Sequence, residues 1–261
     1  MITFIVIIIQ LKVGKLISFV FIGLFINSFT LKAQYSRGDQ GGNLPKFYKQ
    51  HIHFGFSIGI NNTDFRIYSQ PNSKLYSNLY DSVNYPKDTL NLNYITSKPE
   101  TGFNLGIICD TRLHEYLRIR FLPNIAFGSR QLIYSFSGTD TFDVKKKVES
   151  TFINFPIDLK LQSKRIGNFG AYIVGGGNYS IDLASQKDQK ADDLVVRLRS
   201  SDWYYQAGGG MDFYMPYFKF AIEAKLMVGL RNILIQDNKL FTKPIDKLNS
   251  HIFLISFTFE G

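Results

Sequence analysis

Beyond residue 33 the sequence contains no apolar run of the roughly 18 residues that a membrane-spanning helix requires. It also has a single cysteine, Cys109, so neither an internal disulfide framework nor a metal site with several cysteine ligands can form. Histidine is scarce as well, with four in the whole chain. These shortages argue against a helical membrane protein, a disulfide-stapled secreted domain and a cysteine-ligated metal protein.

Catalytic signals are weak throughout the chain. His51 and His53 lie two residues apart, which allows a metal pair but is better explained by ordinary residues at a membrane rim. The glycine runs at 175–178 and 208–212 lack the lysine of a phosphate-binding loop. Ser57 beside His53 is the nearest approach to the serine and histidine of outer-membrane lipid hydrolases, and the match is weak. We therefore expect no catalytic residue, no metal site and no cofactor.

The long apolar runs are confined to the N-terminus. Lys12 and Lys15 precede an apolar stretch at 16–25, and a short polar end at Ala33 completes the pattern of a signal peptide cleaved after that residue. A retained N-terminal anchor is the alternative, and the apolar residues before Lys12 also allow a later start codon. The predicted organisation is a signal peptide at 1–33, a polar, glycine-rich periplasmic lead-in at 34–50 and a barrel domain at 51–261.

The net charge is positive but dispersed. The formal charge is +9, and removing residues 1–33 takes away three lysines and no acid, which leaves 27 − 21 = +6. The basic residues are scattered along polar segments, so solvated loops explain them better than a nucleic-acid site.

A regular alternation of apolar and polar residues begins at residue 51. In HIHFGFSIGIN (51–61) every second residue is Ile or Phe, and the residues between them are polar or small. A period of two places the two sets on opposite faces of a strand. The 24 Phe and 15 Tyr suit a lipid-facing wall with aromatic girdles. After a signal peptide, this pattern predicts an all-β fold, a transmembrane antiparallel up-and-down β-barrel of a bacterial outer membrane. A soluble β-sandwich or barrel is the alternative.

Eight candidate strands show this alternation, and each reaches the roughly 9–11 residues that a tilted strand needs to span a bilayer. They lie at about 51–62, 102–112, 116–134, 149–162, 170–182, 202–214, 217–230 and 250–260. The connections are short at 113–115, 163–169 and 215–216, and long and polar at 63–101, 135–148, 183–201 and 231–249. Short periplasmic turns and long extracellular loops are typical of outer-membrane barrels. The even number of strands predicts that both termini are periplasmic.

Charged residues fall on the polar faces of these strands. They are Arg118, Arg120, Asp158, Lys160, Asp212, Lys219, Glu223 and Lys225. The interior of an eight-stranded barrel is only wide enough for side chains to fill it, so these charges should form a mixed-sign network in the lumen. Because buried charges need partners that offset their desolvation, a salt-bridged structural plug is favoured over a conducting pore.

The first long connection is the best candidate for partner contact. It is rich in Tyr and Asn, which supply adaptable contact surface in binding loops, although a merely solvated loop is the alternative. Two short segments within it, Asp-Ser-Val at 81–83 and Asp-Thr-Leu at 88–90, resemble the sites at which Bacteroidota O-glycosylate exported proteins. Ser82 and Thr89 are therefore candidate O-glycosylation sites.

Several blocks resemble, in matching order, the PorT family of outer-membrane barrels from Bacteroidota. They are NLPKFYKQHIHFGFSIGINNTDFRIY (43–68), RFLPNIAFGSRQLIY (120–134), FINFPIDLKLQSKRIGNFGAYIVGGGNYSIDLASQK (152–187), DFYMPYFKFAIEAKLMVGLRNIL (212–234) and SHIFLISFTFE (250–260). The match covers most of 43–260 and is specific in the FPIDLK, SKRI and YFKFAIEAK segments. The long apolar extension at the N-terminus departs from the family and concerns targeting only.

The resemblance implies a component of the type IX secretion system. That system exports proteins with conserved C-terminal domains across the outer membrane and supports gliding motility in some species. The family is not known as an enzyme and supplies no catalytic residues to transfer. The expected partners are outer-membrane lipid and other type IX secretion components. A structural or adhesin-like barrel is the second hypothesis, and a lipid-modifying barrel enzyme is the third.

Overall fold

The described part of the chain is almost entirely β-strand. The computed structural model describes residues 42–47, 50–70, 91–137, 141–185, 196–236 and 241–261. Its strands are β1 (Ile52–Ser69), β2 (Asn91–Arg112), β3 (Leu117–Phe121), β4 (Asn124–Ser137), β5 (Thr141–Gln162), β6 (Phe169–Asp182), β7 (Ser201–Tyr214), β8 (Lys219–Gly229) and β9 (Ile245–Glu260). Within these residues, no helix has the length and apolar character needed to cross a membrane.

The strands form one closed antiparallel sheet. β1 pairs with β2 on one side and with β9 on the other, so the first and last strands meet. β3 and β4 both lie between β2 and β5 and follow one another along the same path. They count together as one wall-spanning strand, which gives eight around the barrel. The predicted all-β, antiparallel, up-and-down barrel of about eight strands is confirmed.

The third wall-spanning strand is interrupted, whereas the sequence pattern predicted a continuous strand at 116–134. β3 ends at Phe121 and β4 begins at Asn124. Pro123 lies in the gap and has no N–H to donate to a neighbouring strand, which explains the break. β2 bridges it, because the N–H of Ile107 donates to the carbonyl of Pro123 at 3.0 Å.

The two ends of the barrel differ in their connections. At one end, here called the turn end, the strands are joined by residues 113–116, 163–168 and 215–218, and β1 begins and β9 ends at the same end. At the opposite end, here called the loop end, the segments between strands are 70–90, 138–140, 183–200 and 230–244. The predicted alternation of short and long connections therefore holds except between β4 and β5.

The predicted loop at 135–148 is wrong, because strands occupy most of it and only three residues separate β4 from β5. In this part of β5 the pattern is reversed: Val144 and Val148 pack inward against an apolar cluster, while Lys145 and Lys147 are exposed. The outward face meets water here, and the inward face meets a core. A search for strands with an apolar outer face therefore misses this extension.

Over the rest of the wall the apolar face points outward. In β1, Phe54 and Ile58 are 63% and 46% exposed, whereas His53, Ser57 and Asn61 on the other face are buried. A monomeric soluble protein rarely exposes so continuous an apolar surface. An apolar outside and a polar inside are the arrangement of a barrel that lies in lipid.

An apolar core closes the lumen at the loop end. We call it the apolar cap, and it consists of Phe65, Leu92, Leu132, Tyr134, Phe136, Val196, Leu198, Ile233, Leu234, Phe241, Ile245 and Leu248. Strands β1, β2, β4 and β9 contribute to it, together with the segments that follow β6 and β8. The hydroxyl of Tyr134 donates to the carbonyl of Phe241 at 2.8 Å, which ties the β8–β9 connection to the wall.

Candidate functional site

The structure places all eight predicted lumen charges inside the barrel, where each residue is 0–3% exposed. They belong to β3, β5, β7 and β8, and each alternates with outward apolar side chains. Their ion pairs are Lys160–Asp212 at 3.0 Å, Lys219–Asp212 at 3.7 Å, Lys225–Asp158 at 2.8 Å, Lys225–Glu223 at 3.1 Å and Arg120–Glu223 at 2.9 Å.

Two buried acids that the sequence reasoning missed belong to the same network. Asp110 pairs with Arg118, and Glu260 forms an ion pair with Lys219 at 2.6 Å. Each directly follows an outward residue of its strand, Cys109 or Phe259, so the period of two could have revealed both. With them, five carboxylates balance five cations. We call these ten residues the charged layer.

Arg120 lies at the centre of the charged layer. Its guanidinium contacts Asp110 at 3.0 Å, Glu223 at 2.9 Å and Glu260 at 3.0 Å. Tyr172, also missed, donates its hydroxyl to Glu223 at 2.9 Å, and its ring centroid lies 3.7 Å from the Lys160 ammonium. Arg120 of β3 therefore connects β2, β8 and β9 through one side chain.

A layer of amide side chains lies next to the charged layer on its loop-end side. Asn154 donates to Asn124 at 2.9 Å and accepts from Asn178 at 3.2 Å. A cavity of about 30 Å³ opens beside them, which is room for about two water molecules. Within the described residues, the side-chain oxygens of Asn61 and Asn104 line this cavity without a protein donor. Ordered water is the natural partner for such buried oxygens.

Residues 42–47, here called the strap, close the lumen at the turn end. They belong to the predicted lead-in, and Phe47 is buried in the barrel mouth. Its ring stacks on His53 at a centroid distance of 3.8 Å. The interpretation of His53 as a rim residue is therefore wrong. The side chain points into the lumen because position 53 has the inward parity of β1, and the strap shields it from solvent.

Another buried cation, Arg130, lies nearer the loop end and was also missed. Arg130 is 1% exposed and donates to Ser250 at 2.7 Å and Ser150 at 3.0 Å. Its guanidinium lies 4.1 Å from the ring centroid of Phe65 and 5.3 Å from that of Phe152. Hydroxyl groups and aromatic faces, rather than a close carboxylate, surround this charge.

Comparison with known proteins assigns the chain to a family. Residues 32–234 match the family model of the outer membrane protein beta-barrel domain. This chain belongs to that family. No curated protein sequence matches the barrel. Among solved structures it is similar to the outer membrane protein OprG from Pseudomonas aeruginosa, with 16% identity, a TM-score of 0.34 and coverage of 80% of this chain and 94% of that one. That likeness is too distant to inform what this chain does.

The lumen of this outer-membrane barrel is filled along its length by four sets of residues. The strap, the charged layer, the amide layer and the apolar cap follow one another from the turn end to the loop end. Ion pairing within the charged layer offsets part of the desolvation cost of each charge. The described residues therefore form a packed interior rather than an aqueous channel, as expected for eight strands.

The catalytic, metal-binding and glycosylation candidates from the sequence either do not belong to the charged layer or lie outside the described residues. Ser57 and His53 are both buried on the lumen side, away from the lipid-facing surface. No group of three or more His, Cys, Asp or Glu residues in the described ranges could hold a metal ion. Ser82 and Thr89 lie outside the described residues, so their O-glycosylation stays a prediction.

Proposed function

We propose that this outer-membrane barrel is a non-enzymatic component required for protein export by the type IX secretion system, and for gliding motility where that occurs. The resemblance to the PorT family carries the proposal. Its most specific segments, FPIDLK and YFKFAIEAK, supply Asp158, Lys160, Lys219, Glu223 and Lys225 of the charged layer. These two segments thus supply half of the ten residues of the charged layer.

We further propose that the turn end faces the periplasm and the loop end faces the cell exterior. The strap and the last residue of β9 are at the turn end, and the predicted signal peptide would deliver the chain from the periplasmic side. Short turns on the periplasmic side are also usual for such barrels.

The filled lumen supports a role in contacts with other components rather than in conduction. Within the described residues, ion pairs, amide side chains and an apolar core occupy the lumen, and Ser57 and His53 are buried on its inner side. What remains for function is the outside: the two ends of the barrel and its wall. We expect other secretion components to bind at the turn end or at the loop-end segments.

Deletion of the gene tests the proposal. In a species that carries the system, the deletion strain should fail to export proteins with the conserved C-terminal domain, and the wild-type gene should restore export. Retention of periplasmic marker proteins controls for a leaking outer membrane. Normal export in the deletion strain would refute the secretion role and favour a structural or adhesin-like barrel.

A further inference from the structure

The strap is held by groups that recognise a peptide backbone. The guanidinium of Arg165, in the turn between β5 and β6, donates to the carbonyls of Asn43 and Leu44, the latter at 3.4 Å. Asn168 in the same turn accepts from the N–H of Asn43 at 2.8 Å, and the carbonyl of Tyr214 accepts from the Asn43 side chain at 3.0 Å. Backbone groups of Asn43 and Leu44 and the side-chain amide of Asn43 account for these contacts.

The far end of the strap is held by a single aromatic side chain. Phe47 is 7% exposed, with the His53 ring stacked on one face and the Tyr214 ring at its edge, 6.2 Å between centroids. The Lys219 ammonium of the charged layer lies 5.4 Å from the centroid of Phe47. Between the two anchors, Pro45 and Lys46 are exposed.

We propose that the turn end carries a peptide-binding socket, formed by Arg165, Asn168, Tyr214 and His53, and that the strap is its displaceable occupant. The ligand class is a short peptide that forms a turn, with an asparagine four residues before an aromatic side chain; in the strap the N–H of Phe47 donates to the carbonyl of Leu44 at 3.2 Å. This inference does not depend on the secretion role.

We expect the strap to be displaceable because its contacts with the barrel stabilise the bound position only weakly. Only one of its six residues is buried, and the remaining attachment is a few hydrogen bonds at the edge of the barrel. Ordering six residues has an entropic cost that cancels much of what these contacts contribute. Leu44 also has a φ of 52°, a left-handed conformation that is unfavourable for leucine. An incoming peptide can therefore compete for the same groups.

A tryptophan placed in the socket provides the test. The full mature chain carries Phe47→Trp, and the native Trp203 is replaced by phenylalanine so that one reporter remains. Acrylamide quenching of the fluorescence in detergent micelles measures exposure of Trp at this position. We expect weak quenching, and a several-fold increase after Arg165→Ala. Lys164→Ala removes the neighbouring exposed charge and should leave quenching unchanged. A gel shift on heating shows that each variant is folded.

A synthetic peptide with the sequence of residues 41–50 then tests the socket itself. Adding it should increase quenching in a saturable manner, and the same peptide with alanine at the position of Phe47 should have no effect. Strong quenching in the reporter protein without Arg165→Ala would show that the strap does not occupy the socket. If the tryptophan is shielded and neither Arg165→Ala nor the peptide increases its quenching, the strap is a fixed part of the barrel wall. An equal increase in quenching with the two peptides would show that no specific socket exists. An increase after Lys164→Ala as large as the one after Arg165→Ala would show the same. Each of these results overturns the proposal.

Discussion

Substitution of Arg120 by methionine should strongly destabilise the barrel. Arg120 contacts three carboxylates, those of Asp110, Glu223 and Glu260, and all of them are buried. Removing one partner of a buried ion pair typically costs about 3–5 kcal/mol because it leaves a charge uncompensated. Each of the three acids keeps one other cation, so the losses should not add threefold. We expect the free energy of unfolding to fall by about 3–5 kcal/mol, the cost of breaking one buried pair.

The measurement is urea unfolding of the refolded barrel in lipid vesicles, followed by the fluorescence of Trp203. Lys147→Met is the matched control, since it removes an exposed cation that lies 3.1 Å from Glu149. An exposed pair contributes about 0–1 kcal/mol, so this variant should unfold much like the wild type.

A double substitution tests whether the loss comes from uncompensated charge. Adding Glu223→Gln to Arg120→Met removes one of the acids left without its partner, so the combined destabilisation should be smaller than the sum of the two single effects. Destabilisation by Arg120→Met no larger than that of Lys147→Met would refute the reasoning. It would mean that water enters the charged layer and solvates its carboxylates.

Two further substitutions test the packing of the wall and of the apolar cap. Gly176→Ala should destabilise by about 1–3 kcal/mol, because a Cβ there would lie 2.0 Å from the carbonyl oxygen of Ile157. Gly175→Ala, on the open outer face, should stay within about 0.5 kcal/mol of the wild type, and equal effects would contradict the assignment of faces. Tyr134→Phe should cost about 1 kcal/mol, since it removes the bond to the Phe241 carbonyl; an unchanged unfolding midpoint would show that this bond does not stabilise the cap.

The strands in the lipid-facing part of the wall were predictable because lipid imposes a simple rule on them. Apolar side chains must alternate with polar ones wherever one face meets lipid and the other meets the lumen, and β6 to β8 follow this rule closely. Beyond the part of the wall that faces lipid, this alternation is no longer required. The loop-end part of β5, with Lys145 outward and Val144 inward, was therefore missed.

The sequence indicates which residues belong to the charged layer, but it does not indicate which of them form ion pairs. Parity alone places Asp158 or Glu223 on the inner face of its strand. Nothing local indicates that Arg120 contacts Glu260, which lies 140 positions along the chain. The strap was hidden for the same reason, because Arg165 and Asn43 are 122 positions apart and become neighbours only when the barrel closes.

The sequence by itself determined that this protein is a β-barrel with an apolar wall and charged residues inside, since a period of two assigns each side chain to a face without reference to the rest of the chain. Only the tertiary structure decided which charges pair, that an apolar cap fills the loop end, and that the strap closes the turn end with Phe47. These features depend on closure of the sheet, which brings distant strands to opposite sides of one narrow lumen and leaves their side chains no other space to fill.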